Sequence, residues 1–123
     1  MAKVLLIDDD KLMGETTERM LSRSGHSVIR VANGAMGVDA FASHQPDLVI
    51  TDIVMPEQDG IETITQLLAL APKLPILAIS GGGRTGNAVF LVAAKQAGAR
   101  EVLAKPFRLD ALLAAVDRCL NPT

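Results

Sequence analysis

The sequence has few residues of the kinds that mark disulfide-bonded or membrane-spanning proteins. Of its 123 residues only one is Cys and three are Phe, and Trp and Tyr are absent. Cys119 alone cannot form an internal disulfide, which favours a reducing compartment, and its helical pattern indicates packing rather than catalysis. The longest apolar run, Ala88 to Ala94, is far shorter than the roughly 20 residues that span a bilayer. The chain is therefore predicted to be soluble and cytoplasmic.

The sequence also lacks an excess of charge of either sign. Its 12 basic and 14 acidic residues leave a net charge of −2, which argues against a nucleic-acid binder that depends on phosphate contacts. The apolar run Val4–Ile7 is too short for the core of a signal peptide. Because no linker, repeat or low-complexity segment interrupts residues 1–123, we expect a single domain.

Short apolar runs alternate with longer amphipathic stretches along the whole chain. The runs are continuously apolar, as is typical of strands covered on both faces. They are Val4–Ile7, Val28–Val31, Leu48–Thr51, Ile76–Ser80 and Val102–Ala104. The stretches predict helices over Lys11–Arg23, Ala35–Ser43, Ile61–Leu70, Thr85–Ala97 and Arg108–Leu120. Five such β–α units predict an α/β fold with an open parallel sheet and helices on both faces.

Polar residues with complementary chemistry stand at the carboxyl ends of four predicted strands, where open parallel sheets bind ligands. Asp8 and Asp9 follow the first strand, and Asp52 ends the third. Ser80 ends the fourth strand and Lys105 follows the fifth. The separations of Asp52, Ser80 and Lys105 each match one βαβ repeat of about 30 residues. We therefore expect all of these side chains to meet at one edge of the sheet.

Three carboxylates at one edge would repel one another unless a cation joined them. Mg²⁺ takes one or two carboxylates, keeps several waters and leaves room for a phosphoryl oxygen. Lys105 would add a fixed positive charge, Ser80 a hydroxyl donor, and Asp52 a carboxylate able to form an acyl phosphate. Each of these residues alone has an ordinary structural explanation, and Asp10 is expected to be a helix N-cap. Their joint arrangement is what predicts phosphoryl transfer.

The motifs at these strand ends resemble those of the response-regulator receiver family over essentially the whole chain. They are Val4–Asp9, Asp47–Asp52, Met55-Pro56, Asp59-Gly60, Ile79-Ser80, Gly98-Ala99 and Lys105–Phe107. The resemblance implies a flavodoxin-like, doubly wound sheet of five parallel strands in the order 2-1-3-4-5, with five helices. It also implies a signalling domain with at most self-phosphorylation and autodephosphorylation activity, not an enzyme.

The resemblance further implies how the phosphoryl group and the metal are bound. Asp52 would accept the phosphoryl group from the phosphohistidine of a sensor histidine kinase, with Mg²⁺ as the cofactor. Asp9 and Asp52 would bind Mg²⁺ directly, and Asp8 would help through a water molecule. The backbone carbonyl of Val54 would complete the ligands that the protein supplies.

The response to phosphorylation is implied in the same way. Lys105 would contact the phosphoryl group, Ser80 would move towards it, and the peptide bond between Lys105 and Pro106 would be cis. The family often has Tyr or Phe at the position of Val102, so this chain departs from the pattern and no aromatic rotation can report the signal. The run Gly81–Gly83 predicts instead that a pliable loop carries the switch.

The expected partners follow from the family as well. They are a sensor histidine kinase, a histidine phosphotransfer protein and a downstream protein target, with no direct contact to nucleic acid or membrane. The protein itself would be a monomer or a weak dimer. In the fourth helix, Phe90 and Ala94 should face the core, whereas Val89 and Val92 lie on another side. Together with Val102, these two valines form a candidate output surface.

Three other interpretations of the same residues remain open on the sequence. A haloacid-dehalogenase-like phosphatase also combines an Asp nucleophile with Mg²⁺, but it places that nucleophile after its first strand. A flavin- or nucleotide-binding module would need a G-x-G-x-x-G or phosphate-loop motif, and neither is present. A pseudo-receiver would share the fold without phosphorylation, against which the complete set of Asp9, Asp52, Ser80 and Lys105 argues.

Overall fold

The protein is described by a computed structural model that covers residues 2–53, 60–80 and 87–121, with residues 87–89 described by their backbone alone. The strands are β1 (Lys3–Ile7), β2 (Ser27–Val31), β3 (Leu48–Asp52), β4 (Ile76–Ser80) and β5 (Glu101–Ala104). The helices are α1 (Lys11–Arg23), α2 (Gly34–His44), α3 (Gly60–Leu70), α4 (Asn87–Ala97) and α5 (Leu109–Leu120). All strand pairs are parallel and the order is β2-β1-β3-β4-β5, which confirms the predicted flavodoxin-like fold.

The sheet buries apolar side chains on both faces, which explains why its strands are continuously apolar. Successive strand residues point to opposite faces. Leu6 packs in a cluster with residues of α1 and α5, such as Leu21 and Leu112. Its neighbour Leu5 packs in a second cluster with residues of α3 and α4, such as Ile64. Each face is thus covered by helices, and the polar chemistry is left to the strand ends.

The register of the sheet aligns the carboxyl ends of the central strands. Ile7 of β1 lies opposite Thr51 of β3, and Asp52 lies opposite Ile79 of β4. Ser80 in turn lies opposite Ala104 of β5. The residues that follow these positions therefore emerge at one edge, as the sequence predicts.

Local signals fix the ends of several helices. The carboxylate of Asp10 accepts a hydrogen bond from the backbone N–H of Met13 at 3.1 Å, which confirms the predicted N-cap of α1. Gly25, two residues after the last residue of that helix, has a φ of 96°, a conformation that glycine adopts without steric cost. Cys119 is fully buried in α5, and burial raises the pKa of its thiol to about 11, consistent with a packing role.

The buried face of α4 differs from the one expected from the sequence. Ala94 is fully buried as predicted, but Phe90 is 37% exposed, so its assignment to the core is wrong. Leu91 packs against the core cluster beside Val102 in its place. A helix this apolar has no single dominant stripe, so its contacts with α3, β4 and β5 decide which side is buried.

Some sequence predictions fall outside the described residues. The carbonyl of Val54, the motif residues Met55-Pro56 and Asp59, and the Gly81–Gly83 loop belong to segments that the structure does not describe. The same holds for the side chain of Val89. Within the described part of the chain, no helix combines the length and the apolar character that crossing a bilayer requires.

Candidate functional site

Three aspartates meet at the carboxyl edge of the sheet. One carboxylate oxygen from each of Asp8, Asp9 and Asp52 lies within 4.8 Å of the others. Asp8 and Asp52 are buried, with 5% and 7% of their surface exposed, whereas Asp9 is exposed. The cluster is therefore closed on the protein side and open to solvent at Asp9, so an ion could enter without unfolding the site.

Lys105, the residue after β5, contacts two of these carboxylates. Its Nζ atom donates a hydrogen bond to Oδ2 of Asp52 at 2.9 Å and lies 3.5 Å from Oδ2 of Asp8. Burial opposes the charged form of the amine, but the hydrogen bond and negative charge of Asp52, aided by Asp8, raise the pKa of Lys105. The lysine therefore remains a cation throughout the physiological pH range.

Asp8 is the member of the cluster whose charged form is opposed by burial. Burial raises the pKa of Asp8, and the negative charge of Asp52 adds to this effect. The hydrogen bond that Asp8 Oδ1 accepts from the backbone N–H of Asp10 and the charge of Lys105 lower the pKa, but burial dominates. One ammonium group faces three carboxylates in this cluster, so a further cation would reduce the repulsion between them.

Ser80 brings an unsatisfied hydroxyl to the end of β4. The residue is fully buried, and its Oγ has no hydrogen-bond partner among the residues that the structure describes. Its backbone carbonyl accepts a hydrogen bond from the N–H of Lys105 at 2.8 Å, which ties the two residues together. A buried hydroxyl without a partner is costly, so a ligand oxygen that accepted its hydrogen bond would be favoured.

The backbone around Asp52 is held closely on two sides. The N–H of Ile53 donates to the carbonyl of Ile79 at 2.9 Å, and the N–H of Gly60 donates to the carbonyl of Ile53 at 2.7 Å. A Cβ atom at Gly60 would collide with the backbone of Asp52 and Ile53. Glycine at the start of α3 therefore lets the helix pack directly against the strand end that carries Asp52.

The donor set fits a hard divalent cation. Carboxylate oxygens are the ligands that Mg²⁺ prefers, and two or three of them with several waters satisfy its octahedral geometry. The described cluster contains no His or Cys, the ligands that zinc sites favour. Asp10 is engaged in capping α1 and is not part of the cluster.

The structure contains an ion pair beside the acidic cluster that the sequence did not predict. Arg30 of β2 donates from Nε to Oε1 of Glu18 in α1 at 2.9 Å. The stem of Arg30 crosses α1 at Gly14, where a Cβ would lie 3.2 Å from Cδ of Arg30 and 3.7 Å from Cβ of Asp8. The only sequence signal was a glycine inside an amphipathic helix, which points to a close packing contact.

Comparison with known proteins agrees with this geometry. The curated response regulator MprA of Mycolicibacterium vanbaalenii is 37% identical over 121 residues, which are 98% of this chain and 51% of the relative. The chain thus spans about half the length of the curated relatives it matches. A response regulator receiver domain protein from Clostridium thermocellum has a TM-score of 0.90 at 26% identity, covering 98% of this chain and 95% of that one. The receiver domain of NtrX from Brucella abortus has a TM-score of 0.90 at 28% identity, covering 98% and 99%.

The family assignment rests on these matches together. The family model for the response regulator receiver domain matches residues 4–117. Receiver domains interact with a histidine kinase and with downstream targets, and they generally bind Mg²⁺ in an acidic pocket. The family match therefore excludes the haloacid-dehalogenase-like phosphatase and the flavin- or nucleotide-binding module as interpretations of these residues. The chain belongs to the response-regulator receiver family, whose members are signalling domains of two-component systems and not classical enzymes.

Proposed function

We propose that this receiver domain carries a phosphoryl group on Asp52, in a reaction that depends on a divalent cation held by the acidic cluster. The observation that supports this most strongly is the hydrogen bond between Lys105 and Asp52 inside a group of three carboxylates. The arrangement combines a nucleophile, a fixed cation and oxygen ligands for a metal, as phosphoryl transfer requires.

Each side chain would have a role in phosphoryl transfer that follows from its position. An oxygen of Asp52 would attack the phosphorus of a phosphohistidine, and the bond from phosphorus to the imidazole would break as an acyl phosphate forms. Lys105 would stay beside the phosphoryl oxygens, and Ser80 would donate its hydroxyl to one of them. When bound, Mg²⁺ would neutralise charge on the phosphoryl oxygens.

We assign the metal ligands to the acidic cluster in the same way. Asp9 and Asp52 would bind the ion directly, Asp8 through water, and the backbone carbonyl of Val54, outside the described residues, would add a fourth ligand. The whole of residues 1–123 would form this one receiver domain. We further propose that the domain catalyses at most its own phosphorylation and dephosphorylation.

The proposed partners are a cytoplasmic sensor histidine kinase or a histidine phosphotransfer protein upstream, and a separate protein downstream. The small net charge of −2 gives no reason to include nucleic acid or a membrane surface.

Phosphorylation by a small donor tests the proposal without a kinase. The wild-type protein is incubated with Mg²⁺ and either acetyl phosphate or phosphoramidate, and its intact mass is measured by mass spectrometry. We expect one added phosphoryl group per chain, removed by hydroxylamine because an acyl phosphate is hydroxylamine-labile. The matched control contains a chelator in place of Mg²⁺ and should show little addition. No uptake would refute the proposal and favour a pseudo-receiver, whereas equal uptake in chelator would refute the dependence on a divalent cation.

The candidate output surface can be tested on the residues the structure describes. Val92 of α4 is 57% exposed, whereas Val102 is half-buried and packs against the core. If phosphorylation promotes a weak dimer through this face, Val92→Glu should raise its dissociation constant about tenfold, because a carboxylate would be buried. Sedimentation of the phosphorylated proteins measures this. Unchanged self-association, with phosphorylation intact, would exclude Val92 from the interface.

A further inference from the structure

The ion pair between Arg30 and Glu18 lies beside the acidic cluster but belongs to none of the roles above. Arg30 is in β2 opposite Leu6 of β1, and its side chain lies on the face of the sheet covered by α1. Asp8 lies two residues beyond Leu6, so by strand alternation it points to the same face. The arginine of β2 and the buried aspartate that follows β1 are therefore neighbours on this face.

Gly14 brings these two side chains close together. A Cβ at Gly14 would lie 3.2 Å from Cδ of Arg30 and 3.7 Å from Cβ of Asp8, so both side chains border the same point on α1. Glycine inside a helix costs about 1 kcal/mol relative to alanine. Here it opens the space through which the arginine stem passes. The stem thus runs within a few ångströms of the acidic cluster.

Glu18 determines where the charged end of Arg30 goes. It lies four residues after Gly14, one helical turn further along the same face of α1. Its Oε1 accepts the hydrogen bond from Nε of Arg30 at 2.9 Å. This bond fixes the guanidinium beside Gly14, where Nη1 lies 3.7 Å from the position that a Cβ would take. Both side chains are partly exposed, at 28% for Arg30 and 36% for Glu18. The pair is therefore weak enough to exchange with other arrangements.

We propose that Glu18 is a positioning residue that fixes the Arg30 guanidinium beside Gly14, keeps it from pairing with the carboxylate of Asp8 and so preserves the cluster's affinity for Mg²⁺. This inference rests on the proposed metal-dependent function. Without the carboxylate of Glu18, Arg30 is free to turn towards Asp8 as a second internal cation beside Lys105. A guanidinium there would compete with the metal for the same negative charge, because a partly buried site screens charges less than water does.

Titration of Mg²⁺ into the isotopically labelled full chain, followed by NMR, tests the proposal directly. We expect Glu18→Gln to raise the Mg²⁺ dissociation constant about three- to tenfold. Arg30→Gln should leave the constant unchanged or lower it, since the competing cation is gone. In the double variant the constant should return to within about twofold of the Arg30→Gln value, because Glu18 acts only through Arg30.

Two controls separate this mechanism from simpler ones. Glu15→Gln removes the same charge from the same helix without removing the partner of Arg30, and it should change the constant less than twofold. The Nε–Hε signal of Arg30 should move in Glu18→Gln and stay in place in Glu15→Gln. These signals also report whether each variant is folded.

The possible outcomes distinguish this inference from the proposed function. If Glu18→Gln binds Mg²⁺ like the wild type, or weakens binding equally with and without Arg30, the positioning role is refuted while the phosphorylation proposal stands. If Glu15→Gln weakens binding as much as Glu18→Gln, net helix charge is the cause and the inference again fails. If the wild-type protein neither binds Mg²⁺ nor accepts phosphate, both proposals fall.

Discussion

Replacing Asp52 with Asn should abolish phosphoryl uptake from a small donor in the presence of Mg²⁺. A carboxylamide is a far poorer nucleophile than a carboxylate and forms no acyl phosphate under these conditions. The rate should fall at least about a thousandfold, as it does when the covalent nucleophile is removed from an enzyme. Intact mass measured over time, with equal donor and Mg²⁺, gives the rate for both proteins.

The fold should survive this change, so that loss of uptake can be assigned to chemistry. The carbonyl oxygen of an asparagine at position 52 can still accept the hydrogen bond that Lys105 now donates at 2.9 Å. Lys105 also keeps Asp8 as a neighbour at 3.5 Å. We therefore expect a melting temperature close to that of the wild type, measured by circular dichroism.

Asp39→Asn is the matched control for Asp52→Asn. Asp39 is an exposed residue of α2, and its replacement removes the same charge outside the cluster. It should accept phosphate at the wild-type rate. Equal uptake by Asp52→Asn and the wild type would show that another side chain carries the phosphate, and Asp9, the exposed member of the cluster, would then be the first to test.

The second large effect is expected at Asp8, where stability and metal binding should change in opposite directions. Because burial raises the pKa of Asp8, the folded protein prefers the protonated form. The stability that this preference provides is complete below the ordinary value of 3.8 and is lost as the pH rises through the raised pKa. At neutral pH the ionised Asp8 is therefore a cost to the metal-free fold.

Asp8→Asn should remove that cost. The amide oxygen can still accept the N–H of Asp10, and Lys105 keeps its bond to Asp52. We expect the metal-free variant to be more stable than the wild type by about 1 kcal/mol at pH 7, because the neutral amide avoids the cost of burying a carboxylate. The difference should shrink as the pH is lowered through the raised pKa of Asp8 and should disappear below 3.8, the ordinary value of an aspartate.

The same substitution should weaken Mg²⁺ binding roughly tenfold or more, the usual effect of losing a group that supports a metal site. Melting curves in chelator and in Mg²⁺ measure both consequences. The wild-type protein should gain stability with Mg²⁺ by mass action, whereas the variant should start higher and gain less. A lower melting temperature in chelator, or an undiminished gain with Mg²⁺, would contradict the argument.

Asp10→Asn provides the control for Asp8→Asn. Asparagine caps helices as well as aspartate does, so the hydrogen bond to Met13 should persist. The variant loses one negative charge two residues from Asp8 but no member of the cluster. Its response to Mg²⁺ should therefore stay close to that of the wild type.

The sequence predicted the limits of helices and strands correctly where the signal is local or periodic. The limits of α1 and β4 agree with the prediction, because the apolar pattern of each is bounded by polar or turn-forming residues. The N-cap at Asp10 follows from the same kind of short-range chemistry. The prediction failed at Phe90, because α4 is apolar on more than one side and its pattern does not define a single buried face.

For the site, the sequence by itself determined which residues reach the carboxyl edge of the sheet, because strand periodicity and repeat length fix where each strand ends. Only the tertiary structure decided how these residues interact. Lys105 contacts both Asp52 and Asp8, and the hydroxyl of Ser80 has no partner among the described residues. Burial is the main cause of the raised pKa of Asp8. It also brought Arg30 against Gly14, beside the cluster. Such contacts depend on side-chain packing between segments far apart in the chain, which no local pattern encodes.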